Sequence, residues 1–233
     1  MADVVTIFKK GKVEDPSNYR PIALLQTLYK IHAAMLRNRL IDALDDRIWK
    51  SQYGFRAKRS TAQPLFVARR LIDISECSGD KLFLILLDWE KAFDRISHTG
   101  LHSALEAFGQ DPMYLRLIDA LYANPQFTVA AGGQQSTTHT AHTGIRQGCP
   151  LSPYLFLFVH STIMNLVDQQ VEEQLGYTPW VHSANTPLTQ LAYADDTLVI
   201  GRTASTVSLI LQTIEEVAAQ FSPRLNRGKC ELI

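Results

Sequence analysis

Six consecutive apolar residues, Leu82-Phe83-Leu84-Ile85-Leu86-Leu87, stop abruptly at Asp88. A run this short, with no polar alternation, suits a strand covered on both faces and is far too short to span a membrane. It predicts a central strand and puts a carboxylate at the strand's exit, where solvent or ligand begins. A helix-capping or loop role for Asp88 has the same local sequence.

A second stretch, Leu191-Ala192-Tyr193-Ala194-Asp195-Asp196-Thr197-Leu198-Val199-Ile200, sets two carboxylates between two apolar arms. The arms are rich in strand-forming residues, which predicts a β-hairpin with Asp195-Asp196 at its tip. Adjacent carboxylates repel, so a fold that holds them rigidly suits a divalent cation. Mg²⁺ takes oxygen ligands, commonly one or two carboxylates plus substrate phosphates. An ordinary solvated Asp-Asp turn reads the same way in isolation.

A chain of 233 residues with 46% apolar content supports one domain, or two closely packed ones, around a sizeable core. It shows no signal peptide and no apolar run of membrane-spanning length. Cys77, Cys149 and Cys230 are odd in number and lack metal spacing, which fits a reducing compartment. His139, His142 and Cys149 would supply three zinc donors, but no obvious fourth follows. The net charge of zero hides an asymmetry: residues 1–70 hold 14 Lys/Arg and 6 Asp/Glu, while 71–233 hold 9 and 17. A basic segment joined to an acidic one suits a polyanion on one side and cations on the other; two subdomains that complement each other would look alike.

Val4–Phe8 predicts a strand, followed by a basic turn and the polar Glu14–Asn18. Arg20-Pro21 restarts an extended piece, because the residue before proline avoids the helical region. Lys9, Lys10, Lys12 and Arg20 can thus share one hairpin-like flap able to close on a triphosphate. Leu28, Ile31, Met35, Leu36, Leu40, Ile41 and Leu44 recur at helical spacing. Gln52-Tyr53-Gly54-Phe55-Arg56-Ala57-Lys58-Arg59 mixes aromatics that can stack on bases with cations that can meet phosphates. Helices are expected over 62–75, from after Asp94 to about Phe108, over 113–123 and over 204–221. Phe127–Ala130 predicts a strand, and Gln135–Thr143 a second strand or loop. Gly144–Pro150 is a glycine-punctuated turn that lets Gln147 approach a ligand, and Ser152-Pro153 predicts a helix start with Ser152 as N-cap. Residues 225–233 read as a turn and strand.

The order of these pieces is more specific than any one of them. Asn18-Tyr19-Arg20-Pro21-Ile22, Gln52–Arg56, Leu87-Asp88 with Lys91-Ala92-Phe93-Asp94, Gly144–Pro153, Tyr193-Ala194-Asp195-Asp196, and Leu225-Asn226 with Lys229 together resemble the successive motifs of a reverse transcriptase of the non-LTR (LINE-like) retrotransposon type. The resemblance covers nearly the whole chain. It implies an α+β fingers-palm polymerase fold, with an antiparallel palm sheet packed on helices. Fingers would occupy roughly 1–75 and palm 76–233, with some interleaving, and no thumb would fit within the chain.

The resemblance further implies that Asp88, Asp195 and Asp196 hold two Mg²⁺ ions, for which Mn²⁺ can substitute. The reaction would be RNA-directed DNA synthesis from dNTPs onto a DNA primer along an RNA template. By the same likeness Phe93 would lie under the incoming sugar, Gln147 and Gly148 would face the nucleotide, and Arg20 with Lys12 or Lys10 would meet its phosphates. Lys229 would sit near the leaving pyrophosphate, and Arg56 and Arg59 would face the template. The chain would be a fragment of a longer polyprotein, with any thumb supplied by a partner or a missing C-terminal region. An intracellular setting, nuclear or cytoplasmic, follows only from such substrates. Two rivals are a catalytically silent nucleic-acid-binding remnant and a metal-dependent nuclease; the second has no use for Phe93 or the Gln147-Gly148 turn.

Overall fold

The computed structural model describes residues 2–177 and 188–233. The chain begins with strand β1 (Ala2–Phe8) and, after one 3₁₀ turn (Pro16–Asn18), β2 (Tyr19–Leu24). Helices α1 (Thr27–Leu44) and α2 (Ala62–Ser78) come next, then β3 (Phe83–Leu87). Helices α3 (Ala92–Arg95), α4 (His98–Ala107) and α5 (Pro112–Tyr122) lead to strands β4 (Gln126–Ala131), β5 (Gln134–Gln135) and β6 (His139–Thr140). The long α6 (Ser152–Leu175) precedes the hairpin β7 (Gln190–Tyr193) and β8 (Asp196–Gly201), then α7 (Ala204–Phe221) and β9 (Glu231–Leu232). No helix among the described residues is long and apolar enough to cross a membrane.

The strands form two sheets. In the first the order is β2-β1-β4-β5, with β6 also on β4. Its β1–β2 hairpin is antiparallel, but β1 and β4 run parallel, with Val4 beside Val129. This sheet therefore joins residues 2–24 to residues 126–140. In the second sheet the order is β7-β8-β3-β9 and every pairing is antiparallel. The apolar run at 83–87 is central in it, as its composition predicts.

Only one face of that second sheet is fully covered. Phe83, Ile85 and Val199 pack into the main core with α4, α6 and α7. On the opposite face Leu84 and Ile200 meet Leu71 of α2 in a smaller cluster. Farther along that face Leu86 is 39% exposed. The expectation of two covered faces thus fails at one end of the strand, on the face that also carries Asp88. Helix α6 is the spine of the core: from Tyr154 to Met164 its residues are buried on all sides, the pattern of a helix enclosed by its neighbours. Each such Leu, Ile, Val or Phe contributes about 1.5–3 kcal/mol by leaving water.

Four local expectations need correction. The helix expected after Asp94 starts only at His98, because Ser97 caps it by accepting from the Gly100 N–H at 3.0 Å, and the short α3 precedes it. Ser152 is the first residue of α6, not its cap, and its hydroxyl is buried. In α1 the buried residues are Ala33, Leu36, Leu40 and Leu44, whereas Leu28, Ile31 and Met35 are exposed. The hairpin tip is Ala194-Asp195, since Tyr193 pairs with Asp196, which opens β8.

Candidate active site

The carboxylates meet because of strand register. Leu87 pairs with Thr197, and one further step of the same antiparallel ladder sets Asp88 opposite Asp196. Side chains alternate along a strand, so both follow Leu84, Leu86 and Leu198 onto the open face. Asp195 projects from the adjoining turn. The backbone of Asp88 is held on its other side as well: its carbonyl accepts from the Asn226 N–H at 2.8 Å, and the Glu90 N–H donates to the Arg224 carbonyl at 2.8 Å. Residues 107 positions apart in sequence thus become neighbours on a rigid frame.

The turn that presents Asp195 is strained. Ala194 has φ +57°, the left-handed region, which costs an L-residue about 1–2 kcal/mol. It is held by the segment 51–54, which covers the free edge of β7. The Tyr53 N–H donates to the Ala192 carbonyl at 2.8 Å and the Ala192 N–H to the Ser51 carbonyl at 2.9 Å. Gly54 lies so close that a Cβ there would stand 2.1 Å from the Ala194 nitrogen.

Asp88 and Asp195 line a cleft of about 910 Å³ between the two sheets, together with Lys9, Arg20, Phe93, Asp94, Gln147, Gly148, Asn226 and Lys229. Arg20 reaches it because β1 and β2 pair with Ile7 beside Arg20. The flap lysine on the cleft wall is Lys9, not Lys12 or Lys10. Lys12 lies in the turn beyond, where its carbonyl accepts from Asn18 Nδ2 at 2.9 Å. Gly148, at φ +104°, lets the turn lie against β2: a Cβ there would meet the Ala23 carbonyl oxygen at 2.7 Å. Gln147 donates from Nε2 to Asp94 Oδ1 at 2.9 Å. Asp94 therefore lines the cleft and orients Gln147 there. Phe93 forms the floor, stacked on Phe156 with ring centres 5.0 Å apart. Lys229 Nζ stands 3.6 Å from Asp88 Oδ2.

The two template candidates are placed differently. Arg56 is buried, and its N–H groups point at the Asp45 carboxylate and at the carbonyls of Asp45, Trp49 and Gln52. All five donors of a guanidinium are thereby spent, so Arg56 holds the loop and has none to offer a phosphate. Arg59 donates to the Lys50 and Gln52 carbonyls and lies over the Tyr53 ring at 5.3 Å, while remaining partly exposed. Lys91 also lines the cleft and escaped sequence reasoning. Its left-handed φ of +50° could not be read from a lysine.

Burial, and then the charges of Asp195 and Asp88, push the Asp196 carboxyl above the usual carboxylate range. All three donors are carboxylate oxygens, the hard ligands that suit Mg²⁺ or Mn²⁺, and a cation would relieve the crowding of like charge. Among the described residues no three acidic, His or Cys side chains are grouped closely enough to hold a metal ion as they stand.

Carboxylates at the end of one sheet thus face, across one cleft, a hairpin that carries Lys9 and Arg20. The sequence model described as "Reverse transcriptase (RNA-dependent DNA polymerase)" matches residues 7–233, and the chain belongs to that family, with relatives among the non-LTR retrotransposons. It is 28% identical over 221 residues to the transposon TX1 uncharacterized 149 kDa protein of Xenopus laevis, covering 95% of this chain and 16% of that protein. It is 27% identical to the RNA-directed DNA polymerase from mobile element jockey of Drosophila melanogaster, covering 98% of this chain and 25% of that one. The chain thus spans a quarter or less of these relatives. Among solved structures, apo telomerase from Candida tropicalis matches all of this chain and 44% of its own, with a TM-score of 0.69 at 14% identity. That likeness concerns the fold alone.

Proposed function

We propose that this chain is the catalytic domain of an RNA-directed DNA polymerase, adding dNTPs to a DNA primer on an RNA template. The observation that carries the reading is the pairing that sets Asp88 opposite Asp196, with Asp195 beside them, at the edge of a cleft whose far wall holds Lys9 and Arg20. In this reading the first sheet belongs to the fingers and the second to the palm. Asp88, Asp195 and Asp196 would hold two divalent cations, which supply a more acidic primer hydroxyl and neutralise charge on the phosphates. The chain's own groups position the substrates. Arg20 and Lys9 take the triphosphate, with Arg20 offering a bidentate fork. Phe93 supports the sugar and crowds its 2′ side, its ring fixed by the stack on Phe156. Gln147, aimed by Asp94, faces the nucleotide. Lys229, a cation 3.6 Å from Asp88, would give a proton to the departing pyrophosphate. Arg59, partly exposed, is the remaining template contact of the basic loop.

The test is primer extension by the purified chain on an RNA template with Mg²⁺ or Mn²⁺, beside an Asp195→Ala/Asp196→Ala variant shown to be folded by circular dichroism. Charge stabilisation worth several kcal/mol is removed, so extension falls on the order of a thousandfold. A folded wild-type chain that binds RNA–DNA hybrid but extends nothing with either metal overturns the reading in favour of a silent binding domain.

A further inference from the structure

Gln52 is completely buried, and both ends of its amide are in use. Oε1 accepts from the Ala194 N–H and the Gly54 N–H, each at 2.8 Å. Nε2 donates to the Ala194 carbonyl at 3.0 Å and meets His160 Nδ1 at 3.4 Å. One side chain thus grips both polar groups of Ala194, the residue held in the left-handed region.

The remaining bonds follow from counting hydrogens. An amide nitrogen has two, and the second one faces His160 Nδ1, so Nδ1 accepts and the ring proton resides on Nε2. Burial keeps this ring neutral, its pKa pushed down to about 4. His160 Nε2 then donates to Thr197 Oγ1 at 3.2 Å. Trp89 Nε1 donates to the same oxygen at 3.2 Å, and the threonine's own proton goes to the Asp195 carbonyl at 3.3 Å. Donors and acceptors match one to one along the whole path. Its ends lie on the backbone beside each carboxylate: Trp89 follows Asp88, Ala194 precedes Asp195, and Thr197 follows Asp196.

We propose that Gln52, His160, Thr197 and Trp89 form a buried positioning network that fixes the turn at Ala194 and sets the spacing of Asp88, Asp195 and Asp196. Gln52 and Thr197 are its two hubs. Gln52, His160 and Thr197 lie outside the cleft lining and Trp89 borders it; they act through the carboxylates, so the proposal rests on the reading of those carboxylates as the reactive centre. The Gln52 and Thr197 side chains come from segments 145 residues apart.

The experiment compares wild type, Thr197→Val, Thr197→Ser and Gln52→Met in the full chain. Valine keeps the volume and branching and removes the hydroxyl; serine restores it; methionine keeps length and loses all four amide bonds. Mn²⁺ affinity is measured by electron paramagnetic resonance without nucleotide, and kcat and KM for dNTP by primer extension. Displacing groups that orient metal ligands typically costs about 10–100-fold in metal affinity or activity. Thr197→Val and Gln52→Met should therefore weaken Mn²⁺ binding by about that factor and lower kcat similarly, with KM within about twofold. Thr197→Ser should return both to near wild type. A merely structural role would lower the melting temperature and leave affinity and kcat of the folded protein unchanged, and that result overturns the proposal. Should both disruptive variants fail to fold, Trp89→Phe, which removes one donor and keeps the ring, takes their place; wild-type Mn²⁺ affinity there overturns it equally. A wild type that binds Mn²⁺ but extends no primer sinks the polymerase reading, and the affinity series still decides the network. A wild type that binds no Mn²⁺ overturns the network's role.

Discussion

Gly54 has no room for a side chain, because the atoms a Cβ would strike are the backbone nitrogen and Cα of Ala194. Backbone cannot swing aside as the end of a long side chain can. Gly54→Ala should therefore cost about 1–3 kcal/mol in urea unfolding, and should cost extension more than its stability loss accounts for. A substitution that changes neither would mean the turn is not pinned from this side. The motif around Gly54 is visible in the sequence, but its meaning is not. Tyr53, Arg56 and Arg59 look like a surface for bases and phosphates. Arg56 turns inward because Asp45, eleven residues earlier, and three loop carbonyls claim it. Nothing in the order of residues distinguishes a cation saved for a ligand from one spent on its own backbone. Asp88 and the Asp195-Asp196 pair are easier to single out, since each interrupts an apolar run, although a cap or a solvated turn has the same local sequence; it is the order of motifs that separates them.

At the scale of elements, α1 shows what periodicity can and cannot supply. Its apolar residues recur at helical spacing and give the helix correctly, but they occupy two stripes. One, through Ala33, Leu36, Leu40 and Leu44, enters the core; the other, Leu28, Ile31 and Met35, faces outward. Spacing alone does not rank two stripes. The assignment is checked by paired substitutions: Leu40→Ala should cost about 2–5 kcal/mol, whereas Leu28→Gln and Ile31→Gln should each stay within about 0.5 kcal/mol. Equal costs in chemical denaturation would reverse it. The break between α3 and α4 was legible in principle, since Ser97 is a good cap, yet the surrounding residues continue a helical pattern past it. The short strands β5 and β6 have too few residues to show any period.

For the whole molecule, the α+β class and the existence of both hairpins could be read ahead, but the parallel pairing of β1 with β4 could not. It links segments more than 120 residues apart with no local mark on either. The buried network is equally non-local, and it gives the fold a pH dependence. His160 is neutral and accepts at Nδ1; its pKa is about 4 in the folded protein against 6.5 when free. Between those values the unfolded chain binds more protons. Stability is therefore complete above about pH 6.5 and declines as pH falls toward 4, by about 3 kcal/mol. His160→Gln should flatten that part of the curve in melts taken from pH 7 to 4. An unchanged difference between the two proteins across this window would refute the assignment.

The central strand of the second sheet has a consequence for synthesis of the protein. Residues Phe83–Leu87 leave the ribosome more than a hundred residues before the strand that pairs on one side, and later still comes Leu232, which pairs on the other. Until then a nascent chain carries its most apolar strand with both edges bare, the condition that favours association with other chains. Asp88 is thus made more than a hundred residues before Asp195 and Asp196, so products shortened ahead of that hairpin would carry Asp88 without them.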